Sequence, residues 1–231
     1  MTPDLPAVET AIVEMTNIFR RSQRLTELRR NRLLDQAARR YASFLAKSGR
    51  FSHEADGRSH GDRIASTGYK YCQASENLAL HMDSRGFQAR ALARAAIEGW
   101  KNSPGHRKNL VAPYVTEIGV GVAKATGIHK YLSVQLFGRP SAFQFRFKVM
   151  NGTPATITYR YEGRSTKLAA SVVVTHTVCR PGELSFPKAV GAGQQQRGGW
   201  SSGYITRAGD LYRAVPRRGG GFKIIHQPQT R

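Results

Sequence analysis

The stretch Trp100-Lys101-Asn102-Ser103-Pro104-Gly105-His106-Arg107-Lys108-Asn109-Leu110 decides how the first half of this chain reads. Before it, Leu92, Ala96 and Trp100 recur at spacing four, which predicts a helix over 87–101 with one apolar face. Pro104-Gly105 ends that helix, because proline has no amide donor and its ring clashes with the preceding turn. His106 is therefore delivered just past a helix end. After it the period changes. Ile118 to Ala123 is rich in β-branched residues and glycine, and Tyr131 to Phe137 is apolar almost throughout. Both read as strands, the second largely buried, with a turn at Gly127 between them.

Upstream, Val8, Ile12, Met15 and Phe19 form one stripe of a helix over 8–24, with Arg20, Arg21 and Arg24 near its C-terminal end, where positive charge suits the dipole. A second helix over 33–47 buries Leu34, Ala37, Ala38, Tyr41 and Leu45 and stops at Ser48-Gly49. Residues 54–61 read as a loop, followed by a short helix over 61–67 that ends at Gly68. Helices followed by a closing hairpin predict an α+β arrangement, with helices flanking a sheet, for residues 1–140.

At Gly138-Arg139-Pro140 the composition shifts. Phe143, Phe145, Phe147 and Val149 alternate with Gln144, Arg146 and Lys148, a strand with one wet face. Asn151-Gly152 marks a turn, Ile157, Tyr159 and Tyr161 continue the alternation, and Leu168 to Val178 reads as one long strand. Shorter strands are expected at 184–186, 203–206, 211–215 and 222–226, and a mobile Gly-, Gln- and Ser-rich loop at 191–203. Residues 141–231 are read as a small antiparallel all-β domain, a sandwich or barrel.

The chain is strongly basic, with a formal net charge of +21. Residues 1–140 hold 22 basic and 12 acidic residues and 141–231 hold 14 and 3, so the second part is the more densely positive. Such a field attracts polyanions: nucleic acid, anionic lipid or an acidic envelope polymer. No run reaches the roughly 18–20 apolar residues of a spanning helix. Residues 1–20 carry Asp4, Glu9 and Glu14 with no basic start before an apolar run, so they do not read as a signal peptide. The expectation is a cytosolic protein or a mature form with its leader removed. Two cysteines, Cys72 and Cys179, do not make a disulfide framework; a bridge would staple the two halves, and two buried thiols fit equally well.

Three residues carry the candidate chemistry. His53 follows the second helix, Glu76 starts a short segment after Gly68, and His106 follows the break at Pro104. Neutral imidazole is a common metal ligand, and His with carboxylate suits zinc. There is no H-E-x-x-H pair, so the spacing alone is weak. Ser103 has no adjacent base, Asn77 suits pinning a turn through its amide, and Gly119 and Gly121 suit close packing within a strand rather than a phosphate loop.

Phe51-Ser52-His53, Glu76-Asn77-Leu78-Ala79, Asn102 through Leu110, Thr116-Glu117-Ile118-Gly119-Val120-Gly121 and Tyr131 through Gly138 occur in one order. In that order the chain, over about residues 8–138, resembles the CAP or SCP superfamily (cysteine-rich secretory, antigen 5, pathogenesis-related 1), in wording its bacterial members. The resemblance implies an α-β-α sandwich with a large cleft, extracytoplasmic placement, and a tetrad of two histidines and two acids that binds zinc in some members. His53, Glu76 and His106 take three places, with His53 and His106 the implied metal ligands and Glu76 the implied general base. The acid expected just before the second histidine is missing, which leaves Glu117 as a secondary cleft candidate beside Asn77 and Ser103. The leading expectation is a binding protein for a lipid, glycan or anionic envelope ligand. The alternatives are a zinc-dependent hydrolase or protease in the same cleft and a non-specific polyanion or nucleic-acid binder.

Overall fold

The computed structural model describes residues 2–127, 129–188 and 199–229. Most of the 191–203 segment, expected to be a mobile loop, lies outside them. The chain divides into two compact units, residues 1–142 and 143–231.

In the first unit, local chemistry sets the helix ends. α1 (Leu5–Ser22) starts at Asp4, whose carboxylate accepts from the Ala7 amide at 3.2 Å. α2 (Arg32–Ser48) starts at Asn31, whose side chain accepts from the amides of Leu33 and Leu34, and stops at Gly49 with φ 70°. α3 (His60–Ala65) is closed by a capping box of Ser59 and Asp62. α4 (Ala89–Asn102) is followed at once by α5 (Pro104–Leu110). The proline that ends one helix begins the next, since its fixed φ and missing amide suit a first turn.

The strands β1 (Arg29–Arg30), β2 (Tyr71–Met82), β3 (Glu117–Lys124) and β4 (Lys130–Pro140) form one sheet in the order β1-β3-β4-β2. β4 is the expected buried strand. Its odd and even residues serve opposite layers. Tyr131 and Phe137, with Ile118, Val120 and Val122 of β3, pack under α1 and α4. Leu132, Val134 and Leu136 pack under α2. The result is the expected α-β-α sandwich. Three elements are absent from the sequence reading: the two-residue β1, the helix α5, which contains His106, and the segment around Glu76, a twelve-residue strand, β2, antiparallel to β4 from Tyr71 opposite Pro140 to Met82 opposite Lys130. β2 is a sheet-edge strand with many polar residues, so its strand character comes from its partner rather than from its own pattern.

The second unit holds β5 (Phe145–Asn151), β6 (Ile157–Tyr161), β7 (Arg164–Leu168), β8 (Val173–Val178), β9 (Glu183–Ser185), β10 (Tyr204–Ile205), β11 (Leu211–Pro216) and β12 (Phe222–Gln227). They form two sheets, β10-β9-β6-β7 and β12-β11-β5-β8. Phe147, Val149, Tyr212 and Ala214 of one and Ile157, Tyr159, Leu168 and Leu184 of the other share a single core, so this is a sandwich. Two details differ from expectation. β11 runs parallel to β5, whereas every other pairing among the described strands of this unit is antiparallel. The stretch Leu168–Val178 is not one strand: Leu168 ends β7, the chain turns at Ser171 with φ 58°, and β8 begins at Val173 in the other sheet. Among the described residues no helix is long and apolar enough to cross a membrane, and neither cysteine is a free thiol.

Candidate functional site

Glu76 lies mid-way along β2, opposite Leu136 on the α2 side of the sheet, and its side chain is 1% exposed. A buried carboxylate needs a counter-charge and donors for its oxygens. Arg63 of α3 supplies both. Its Nη2 donates to Glu76 Oε1 and Oε2 at 3.1 and 2.9 Å and to the His53 carbonyl at 2.9 Å. Its Nη1 donates to Asp56 Oδ1 and the Arg58 carbonyl at 2.8 and 2.7 Å. The guanidinium lies flat on Tyr41, 3.4 Å from the ring centre, while the Tyr41 hydroxyl donates to the Ser52 carbonyl and accepts from the Ala55 amide. Arg63 thus ties α3, the loop bearing His53, and β2 into one unit.

His53 Nδ1 is 2.8 Å from Glu76 Oε1. An ionised carboxylate only accepts, so Nδ1 carries the proton in this contact. The His53 side chain is 54% exposed, so the ring is fixed from below and open above. His106 sits in the first turn of α5. Burial, and next the charge of the nearby His53, hold its pKa below the ordinary histidine value.

A buried amide chain sets the position of α5. Gln135 Nε2 donates to Thr16 Oγ1 at 2.8 Å, Asn77 Nδ2 to Gln135 Oε1 at 3.1 Å and to the His106 carbonyl at 3.2 Å, and Asn109 Nδ2 to Asn77 Oδ1 at 2.9 Å and the Glu76 carbonyl at 3.2 Å. Asn77 therefore pins backbone, as its residue type suggests, and the backbone it pins carries His106. Ser103 stands at the junction of α4 and α5 and its side chain makes no capping bond. Trp100 is core, with Nε1 donating to the Leu78 carbonyl at 2.9 Å.

Glu117, the secondary cleft candidate, belongs to another network. It is buried at the start of β3, where the Tyr69 hydroxyl and Asn31 Nδ2 donate to Oε2 at 2.7 and 3.0 Å and Arg29 pairs with Oε1. Burial, then the hydrogen bond to Glu117, push the Tyr69 pKa far up, so this phenol stays a donor. These partners engage both oxygens of the Glu117 carboxylate. The residue that sequence reasoning overlooked is Arg63. Its only local signal is its place in a short capped helix beside Ile64.

Burial also lowers the pKa of His81 and of His176, whose ring stacks on Phe147 at 4.7 Å and whose Nε2 meets the Tyr159 hydroxyl at 2.8 Å. With His106, three imidazoles resist protonation in the folded chain. Below the unfolded histidine value of about 6.5 the unfolded chain therefore binds more protons, and stability falls as pH drops from there through the folded values. Thermal melts from pH 7.5 downwards are expected to show a midpoint that is flat above about 6.5 and declines below it. A midpoint that stays flat or rises as far as pH 5 contradicts this.

The fold family implies zinc, and the donor set can be judged directly. Both Glu76 oxygens are committed to Arg63, and one also to His53. Among the described residues no group of three His, Cys, Asp or Glu side chains is placed to hold a metal ion. His53 and Arg63 both meet Glu76 directly, and His106 is near enough for a charge on His53 to act on it. Glu76 therefore has no oxygen free for a metal ion, and the imidazoles of His53 and His106 are the donors that remain.

The fold is an α-β-α sandwich that carries a His53–Glu76–Arg63 network, followed in the chain by a β-sandwich. Residues 13–137 match the cysteine-rich secretory protein (CAP) family, more than half of the chain, and the chain belongs to that family. It is 32% identical over 125 residues to YkwD and 31% identical over 117 residues to the membrane protein YlbC, both of Bacillus subtilis strain 168. These matches cover 53% and 49% of this chain but 45% and 31% of those proteins, so the chain spans less than half the length of either. Among solved structures, an extracellular SCP-domain protein of Bacillus anthracis strain Ames is 27% identical with a TM-score of 0.48, covering 58% of this chain and 41% of its own.

Proposed function

We propose that this chain is an extracytoplasmic CAP-family binding protein whose cleft takes the anionic group of an envelope component, phosphate or carboxylate, against His53 and His106. The observation that carries the reading is the Arg63–Glu76 pair. With both oxygens engaged, Glu76 is neither a free base nor a metal ligand; it orients His53. Beside Arg63 is a cavity of about 100 Å³ whose lining includes neither histidine; beyond the Arg63–Asp56 pair it has the guanidiniums of Arg40 and Arg58, with Tyr41 and Phe44 as apolar walls. That charge balance favours an anion. The metal-dependent hydrolase reading needs a free carboxylate at Glu76, which Arg63 removes.

The test is an NMR titration of the imidazole signals with inorganic phosphate and with methyl glucuronate, using methyl glucoside as the neutral control. Saturable shifts of His53 and His106 with the anions alone are expected, with affinity reduced several-fold in Arg40→Ala/Arg58→Ala. Equal response to the neutral sugar, or no response, overturns the reading. So does tight binding of one zinc ion that is lost in His53→Ala/His106→Ala.

A further inference from the structure

The two outer faces of the β-sandwich differ in charge. Residues opposite each other in register share a face of a sheet, and alternate residues share it along a strand. In the sheet β12-β11-β5-β8, Phe147, Val149, Tyr212 and Ala214 point into the core, so their neighbours point out. The outward set includes Arg146 and Lys148 of β5, Arg213 of β11 and Lys223 of β12, all exposed. Among the described residues on this face there is no carboxylate. The three acids of residues 141–231 are Glu162, beyond the end of β6, Glu183, on the other sheet, and Asp210, which is 1% exposed and accepts from the Tyr212 hydroxyl at 2.7 Å. The opposite face is mixed: Arg160 and Lys167 share it with Glu183, and Arg160 is stacked on Trp200 at 3.9 Å.

Aliphatic side chains stand among the four cations. Val173 is 46% exposed and Ile225, directly opposite Arg213, is 39% exposed. Four strands at about 4.8 Å spacing make a platform about 14 Å wide. Aromatic side chains, on which the bases of a single strand would stack, point inward here. Cations interspersed with exposed aliphatics on one sheet face match a surface that offers anionic head groups above an apolar layer.

We propose that the outer face of the β12-β11-β5-β8 sheet docks on an anionic lipid bilayer, with Arg146, Lys148, Arg213 and Lys223 meeting lipid phosphates and Val173 and Ile225 entering the interface. This concerns the second unit and stands or falls separately from the ligand of the cleft.

The test is co-sedimentation of the full chain with vesicles of phosphatidylglycerol and phosphatidylcholine, against phosphatidylcholine alone. Binding is expected only to the anionic vesicles. Arg146→Gln/Lys148→Gln/Arg213→Gln/Lys223→Gln should weaken it roughly fivefold per charge removed, several-hundred-fold in all. Arg160→Gln/Lys167→Gln on the opposite face should weaken it far less. Val173→Ser/Ile225→Ser should weaken binding while leaving its salt dependence unchanged. All these positions are at least partly exposed, and unchanged thermal melts would show that the variants fold. Equal loss from the two faces, equal binding to neutral vesicles, or an undiminished quadruple variant overturns the proposal. Soluble polyphosphate binding as tightly as vesicles, with Val173→Ser/Ile225→Ser silent, also overturns it and makes the face a generic polyanion surface.

Discussion

Arg63→Met is expected to destabilise the first unit by about 3–5 kcal/mol, the cost of leaving a buried charge without its partner. Methionine keeps the length of the side chain and much of its contact with Tyr41, so the loss isolates the guanidinium. Arg63 donates five hydrogen bonds, to Asp56, Glu76 and two carbonyls, from a side chain 5% exposed. The Glu76 carboxylate, 1% exposed, would retain only His53. The double variant Arg63→Met/Glu76→Gln removes both charges and should recover a large part of the loss, since replacing a whole buried pair is far cheaper than breaking it. Denaturant melts of both single variants and the double variant give the coupling energy. A cost below about 1 kcal/mol for Arg63→Met would mean that water reaches Glu76. The central pair would then be a surface interaction.

Gly121→Ala is expected to be as damaging for a steric reason. A Cβ at Gly121 would lie 2.2 Å from the Arg39 amide nitrogen and 2.3 Å from the Ala38 carbonyl carbon, both backbone atoms of α2. Gly119 meets the Leu34 backbone at the same 2.2 Å. Backbone cannot rotate away as a side chain can, so α2 would have to lift from the sheet and loosen Leu34, Ala38, Tyr41 and Leu45. We expect a loss at or above the upper end of the usual overpacking range, about 3 kcal/mol, and poor soluble yield. Gly99→Ala is the contrast: on α4 its Cβ meets nothing within 4 Å. There alanine should stabilise by about 0.5–1 kcal/mol, because it removes glycine's excess backbone entropy within a helix. Melts of the two variants that moved in the same direction by similar amounts would refute the close-approach account of Gly121.

Close packing at Gly119 and Gly121 was legible because glycine weakens a strand interior and is placed there where another backbone must come close. The stripes of α1, α2 and α4 were legible for a similar reason: burial on one side imposes a period of 3.6, and their caps are local. β2 was not. Tyr71–Met82 mixes polar and apolar residues, and it is extended because β4 offers it eleven paired positions. Leu168–Val178 failed in the opposite way, since a continuous β-branched run conceals a turn that only the two-sheet packing demands.

For the cleft, the chain's own order of residues determined that two imidazoles and a carboxylate sit at the ends or middles of separate elements, and the helix-breaking Ser103-Pro104-Gly105 determined where His106 would start. What each group does was decided only by the tertiary structure. Glu76 looks the same in sequence whether it holds a metal, takes a proton or pairs with a guanidinium, because the role of a buried carboxylate is set by whichever cation is buried against it. Here that cation is Arg63, thirteen residues away, brought under β2 by the fold of a short capped helix.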